Sequence, residues 1–194
     1  MSSTSSSRRR GVALAAAALL GGCGFRPLNA PYGGTREAAL PTGVTAADLA
    51  GVRVALIPER DGQLLRRALQ RRFEESRPGT PATHELRVAL QLGLEPQGFR
   101  RDGTPTRVRG NLLAPWTLLA TPATAAAPGA PAPAPTAVAT GTARAFDAHN
   151  VPDNEFFAAE VSGDAMRRRL VDAVAEDIVA QIAVTLATAR AGAG

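Results

Sequence analysis

The chain contains no lysine: its 22 basic residues are all arginine, against 17 acidic residues in a total of 194. With its heavy use of alanine and its 15 prolines, this reads as a compositional bias of the whole chain before it reads as a nucleic-acid footprint. The formal charge is +5, but residues 1–22 hold Arg8, Arg9 and Arg10 and no Asp or Glu, so the remainder carries 19 basic against 17 acidic residues, an excess of only +2. Aromatic residues make up 4% of the chain, and its one tryptophan, Trp116, falls in an apolar alternation. Nucleic-acid binding needs a basic excess together with stacking aromatics, and is excluded as the main role. The single cysteine rules out an intramolecular disulfide and a Cys-rich zinc site. The two histidines argue against a histidine-rich metal centre. No apolar run approaches the roughly 20 residues that a bilayer-crossing helix needs. The length suits one domain, or at most two small ones.

The leader carries the strongest pattern. A Ser-rich start ends in Arg8-Arg9-Arg10; the short apolar stretch Gly11 to Leu20 follows, then Gly21-Gly22-Cys23. Charged segment, apolar segment and small-residue junction are the parts of an export signal over residues 1–22. The Leu20-Gly21-Gly22-Cys23 junction resembles the bacterial lipobox, which has Leu at −3, small residues before the cut and Cys at +1. That resemblance implies diacylation of the Cys23 thiol, cleavage before it and acylation of the new amine. The alternatives are an ordinary signal peptide leaving a free thiol, or an uncleaved anchor. A lone exposed cysteine is a liability in an oxidising compartment, which favours modification. Each buried acyl methylene contributes roughly 0.8 kcal/mol to anchoring. Gly24, not Asp, follows Cys23, and by analogy with lipoprotein sorting that favours the outer membrane.

Residues 23–50 read as a lipidated flexible tether, with Pro27, Pro31, Pro41, Gly33, Gly34 and Gly43 breaking regular structure. From Gly51 the pattern changes. Val52, Val54 and Leu56 alternate as a strand ended by Pro58. Leu64, Leu65, Ala68, Leu69 and Phe73 recur at helical spacing, predicting a helix from Gly62 to Ser76 with Asp61 as its N-cap. Leu86, Val88, Leu90, Leu92 and Leu94 alternate strictly, predicting one strand over 83–95 on a sheet covered on one face. A third strand at 104–120 places Val108, Leu112, Trp116 and Leu118 on one face and Arg107, Arg109 and Asn111 on the other. Pro105 and Pro115 suggest that it is an edge strand or is bulged. Residues 121–136 are a Pro/Ala-rich insertion that forms no core. A fourth strand follows at 137–147. Met166, Leu170, Val174, Ile178, Ile182 and Leu186, four apart, predict a long helix over 155–190, capped by Asp153 or Ser162, with Gly163 splitting off its first turn. The order β-α-β-β-β-α defines an α+β two-layer sandwich at 51–190, two helices on one face of a four-stranded sheet.

Four fragments together resemble the lipopolysaccharide (LPS)-assembly lipoprotein family, LptE, of alphaproteobacterial type. They are Cys-Gly-Phe-Arg-Pro-Leu at 23–28, Ile-Pro-Glu-Arg-Asp-Gly-Gln-Leu-Leu-Arg-Arg-Ala-Leu at 57–69, Phe-Arg-Arg-Asp-Gly-Thr-Pro-Thr-Arg at 99–107, and Gly-Thr-Ala-Arg-Ala-Phe at 141–146 before an Ala-rich helix. The resemblance spans nearly all of residues 23–188. Asn29 and Ala30, and the Pro/Ala insertion, depart from it. It implies a non-enzymatic outer-membrane lipoprotein that assists assembly of the LPS-translocon β-barrel, plugs its lumen and binds LPS, with the domain on the periplasmic side or inside the barrel. No cofactor is implied. The competing reading is a free-standing periplasmic lipid- or ligand-binding lipoprotein without a barrel partner.

Arg100, Arg101, Arg107 and Arg109 gather positive charge near one turn and strand start. Arginine forks match phosphate oxygens bidentately, so these four are candidate contacts to the phosphates of LPS. A polar barrel lumen would accept them equally, and a solvated charged face is the plain alternative. His84 and His149 have no metal-spaced partners. Asp172, Glu176 and Asp177 fit a solvated helix face, not a pair of catalytic acids. No Gly-rich phosphate loop and no Ser/His/Asp set is present, so no enzyme is expected.

Overall fold

The computed structural model describes residues 44–75, 77–121, 134–153 and 155–192. Cys23, the leader and most of the Pro/Ala insertion lie outside the described residues. The elements are α1 (Ala46–Ala50), β1 (Val52–Val54), α2 (Glu59–Glu74), β2 (His84–Val88), β3 (Gln91–Phe99), β4 (Pro105–Ala120), β5 (Thr136–Asn150) and α3 (Phe156–Ala191). The α+β class and the layer of helices on a sheet are as the periodicities require.

Part of the expected tether belongs to the packed domain. Residues 46–50, assigned to the tether, form α1, and Val44, Leu49 and Ala50 are buried. The apolar content of a five-residue segment is too short to show a helical period, so only its packing reveals it. Asp48 accepts hydrogen bonds from the N–H and Oγ of Thr45, both at 2.8 Å. Its carboxylate also receives Arg190 from the far end of the chain, at 2.7 Å.

The α2 helix starts at Glu59, behind Pro58, three residues before the expected start. Asp61 does not cap it; it pairs with Arg167 of α3 at 3.0 Å. Leu65, Ala68, Leu69 and Phe73 are buried, as their spacing predicts. α3 runs unbroken through Gly163, and neither Asp153 nor Ser162 caps it; Glu155 occupies the cap position. The Ser162 hydroxyl instead donates to the Ala159 carbonyl at 2.9 Å, the side chain turning back on its own helix. The stripe Met166, Leu170, Val174, Ile178 and Ile182 is buried along this helix, which at 36 residues is about 54 Å long. Arg60–Asp164 at 3.0 Å and Arg72–Asp172 at 3.5 Å join α2 and α3 above the core.

The expected strand over 83–95 is divided into β2 and β3, which nevertheless share one register against β4: Leu86 faces Leu118 and Leu92 faces Leu112. The reason for the break is Pro115. Ala89 N–H donates to the Pro115 carbonyl at 3.0 Å, but proline has no N–H to return, so the reciprocal bond of that pair is missing. Pro115 was expected to mark an edge; instead β4 is central, paired with β2 and β3 on one side and with β5 on the other. The bulge lies elsewhere, between Leu118 and Leu119 against β5. β1 adds a short parallel edge to β2. Pro105 is simply the first residue of β4.

Candidate functional site

The four arginines singled out in the sequence fall into two structural groups. Arg100 belongs to the β3–β4 turn. Asp102 accepts from Thr104 N at 3.0 Å and Thr104 Oγ1 at 2.7 Å; these bonds hold its carboxyl below the ordinary value. Gly103 supplies the positive φ, 84°, that closes the turn. The Arg100 guanidinium donates to Thr104 Oγ1 at 3.2 Å, to the Pro105 carbonyl at 3.1 Å and to the Val151 carbonyl at 2.6 Å. Its donors are committed to fastening the turn to the end of β5. Arg101, next to it, is exposed and has no partner among the described residues.

Arg107 and Arg109 stand on the sheet face turned away from the helices. Alternation along β4 sends Leu112, Ala114, Trp116 and Leu118 into the core and Arg107, Arg109 and Asn111 to the opposite face. The Arg109 guanidinium lies 4.8 Å from the centroid of the Phe146 ring on β5, within cation–π range. Burial pushes Asp147 up, but its hydrogen bonds to Arg169 and Ala148 N–H and the charges of Arg169 and Arg107 hold it below the ordinary value. Near the middle of the outer face, Asn111 Oδ1 is buried and has no hydrogen-bond partner among the described residues.

Sequence reasoning missed Arg144. It is exposed on β5, opposite Leu113, on the same outer face as Arg107 and Arg109. The alternation Ala143-Arg144-Ala145-Phe146 carried the signal, since Ala143 and Ala145 are buried. What it could not carry was the register that brings β5 beside β4. The outer face thus presents Arg107, Arg109 and Arg144 with Phe146, and no described element covers it.

The histidines do not meet: His84 pairs with Ala120 at one end of β4 and His149 with Val108 near the other. Among the described residues no group of three or more His, Cys, Asp or Glu gathers at metal-binding distance. Asp172 is engaged by Arg72. No helix among the described residues is long and apolar enough to cross a membrane.

No protein-family model matches the sequence, nor does any curated protein sequence. Solved structures share the fold. A candidate lipoprotein from Caulobacter crescentus CB15 superposes with a TM-score of 0.51 at 21% identity, over 73% of this chain and 95% of that one. Rare lipoprotein B from Shewanella oneidensis superposes with a TM-score of 0.50 at 12% identity, over 72% of this chain and 96% of that one. These structural neighbours are bacterial lipoproteins. At such identities the likeness is one of fold, and it spans nearly the whole of each neighbour.

Proposed function

We propose that the chain is a lipid-anchored, non-enzymatic subunit of LPS delivery, held at the outer membrane through Cys23, which assists assembly of the translocon β-barrel and occupies its lumen. The observation that carries this reading is the open sheet face bearing Arg107, Arg109, Arg144 and Phe146, on a fold shared with bacterial lipoproteins. An uncovered face that carries several guanidinium groups suits a polar barrel wall or the phosphates of a glycolipid. The fragments that resemble the LPS-assembly family support the same role.

Two measurements test it. Solubilising the outer membrane in mild detergent should bring down a large stoichiometric β-barrel with the chain; recovery of the chain alone would favour the free-standing binder. Replacing Arg101, Arg107, Arg109 and Arg144 together by Gln should weaken LPS binding at low salt and leave the fold intact. The loss should shrink at high ionic strength, because exposed charges are screened within about 8 Å at physiological salt. Arg100 is left out of this set, because its removal would loosen the turn and confuse binding with folding.

A further inference from the structure

The second edge of the sheet is open. Ala89 N–H donates to the Pro115 carbonyl, so odd-numbered β4 residues turn their backbone groups toward β2 and β3, and even-numbered ones toward β5. The β4–β5 register then points Gly141, Ala143 and Ala145 at β4, and sends the N–H and C=O of Thr142, Arg144 and Phe146 outward. Two side chains close part of this edge. Gln181 Nε2 donates to the Thr142 carbonyl at 3.2 Å, and Asp147 Oδ1 accepts from Ala148 N–H at 2.7 Å. Between them the Thr142 N–H and both backbone groups of Arg144 and Phe146 have no partner among the described residues. Natural edges are usually protected by charged side chains, proline or a bulge; this stretch carries a single charge, Arg144, and no proline, and its bulge lies several residues away at Leu118/Leu119.

Both sides of the edge are prepared. Toward the helices lies a groove of about 390 Å³ lined by Thr140, Gly141, Ala180, Gln181, Val184 and Thr185. Val184 in its lining is 56% exposed, and Phe146 on the other side of the sheet is 52% exposed. On the outer side Arg144 is unpaired among the described residues, and the outward positions Thr140, Thr142, Arg144, Phe146 and Ala148 include no acid. A second copy of β5 would therefore bring another arginine to that face, and like charges opposite one another destabilise a strand pair.

We propose that the β5 edge from Thr142 to Phe146 is a strand-addition site for an extended segment of a partner protein, with acidic side chains beside Arg144 and apolar side chains in the groove by Val184. Main-chain hydrogen bonds would supply affinity and the alternate side chains selectivity. The inference stands on the β5 geometry and does not depend on the role proposed above.

The probe is an N-acetylated, amidated heptapeptide alternating glutamate and valine, titrated into the full chain. Hydrogen exchange at the Arg144 and Phe146 amides should slow by about tenfold or more at saturation, as newly formed backbone bonds require. The same peptide N-methylated at alternate nitrogens should not bind. Arg144→Pro, which removes an outward N–H that no ladder bond uses, should abolish binding. Arg144→Gln should weaken it severalfold and remove its salt dependence. Unchanged exchange at Arg144 and Phe146 overturns the proposal. So does equal binding of the N-methylated peptide, a comparison that holds even where Arg144→Pro fails to fold. Formation of a β5-paired dimer in sedimentation overturns it in favour of a second copy.

Discussion

Gly141→Ala tests how Trp116 is seated. A Cβ at Gly141 would stand 2.4 Å from Trp116 Cζ2, 2.6 Å from Cε2 and 2.9 Å from Gln181 Oε1. The indole is 4% exposed and its Nε1–H donates to Gln181 Oε1 at 3.0 Å. Neither ring nor strand can yield without loss: the ring is packed in the core, and β5 is held by its ladder to β4. Overpacking of this kind costs roughly 1–3 kcal/mol. Displacing the indole from Gln181 forfeits about 1 kcal/mol more. Against this, alanine is favoured over glycine in a strand by roughly 0.5–1 kcal/mol. The net is a loss of about 1–3 kcal/mol, or a fall in melting temperature of about 2–12 °C for a domain of this size. Trp116 is the only tryptophan, so its fluorescence in a urea titration reports both the stability and the environment of the site, and its emission should shift to the red. In a Trp116→Phe background, where the clashing ring atoms are absent, Gly141→Ala should be close to neutral. Equal stability of Gly141→Ala and parent would refute the packing argument. So would the same loss in both backgrounds.

Cys23→Ala should release the chain from membranes into the soluble fraction with its thermal unfolding unchanged, whereas intact-mass measurement of the parent should show a chain beginning at Cys23 with added acyl mass. Leu49→Ala should lower stability by roughly 2–5 kcal/mol in urea titration, because Leu49 is a core side chain and not part of a tether. Deleting residues 125–132, which leaves seven residues between Ala120 and Thr136, should leave melting unchanged or slightly raised, since halving a loop changes closure entropy by only about 0.6 kcal/mol; a large fall would mean that the segment packs. Stability should decline with acid in two stages. Burial holds His84 below its ordinary value against the raising effect of Asp48, so the unfolded chain takes up that proton first and stability is lost as pH falls through about 6.5. Burial pushes Asp48 up, but Thr45 and Arg190 hold it below the ordinary value, so its contribution is present above the carboxylate range and lost as pH falls through it. His84→Asn should erase the first stage in pH-dependent urea titrations and leave the second.

The long periodicities were legible because each names a face. The stripe from Met166 to Ile182 is buried as its spacing predicts, and so are Leu86, Val88, Leu112, Trp116 and Leu118; but Leu90, Leu92, Val108 and Leu186 are only half-buried, Leu94 is 47% exposed, and Leu56, expected on the first strand, lies beyond its end at Val54 and is 72% exposed. Caps were not legible in the same way. Asp61 and Ser162 have the right side chains at plausible positions, yet each has a stronger partner elsewhere: Arg167 for Asp61 and the Ala159 carbonyl for Ser162. α1 was missed because five residues cannot display a period of 3.6, and Leu49 reads the same in a loop as in a core. Among the candidate site residues, the faces of Arg107 and Arg109 followed from alternation. That Arg100 is consumed by Val151 did not, since Val151 lies 51 residues further along the chain.

Pro115 shows why the sheet's topology was the hardest part to read. A proline in a run of strand residues argues for an edge, because a central strand needs its N–H groups on both sides. That rule counts a lost donor but not where the loss falls. An antiparallel strand points each residue's N–H and C=O to one neighbour only, so Pro115 deprives the β2/β3 side of a single bond and leaves the β5 side whole. The facing chain gives up pairing over Ala89 and Leu90 and resumes it in the same register at Gln91. Burial on that face fades along the facing chain, from Leu86 and Val88 in the core to half-buried Leu90 and Leu92 and to Leu94, which is 47% exposed. Leu90→Ala should therefore cost distinctly less than Leu112→Ala, whose side chain is 1% exposed in the unbroken ladder. Equal losses for the two in urea titration would mean that the half-buried Leu90 is held as firmly as the core beside Leu112.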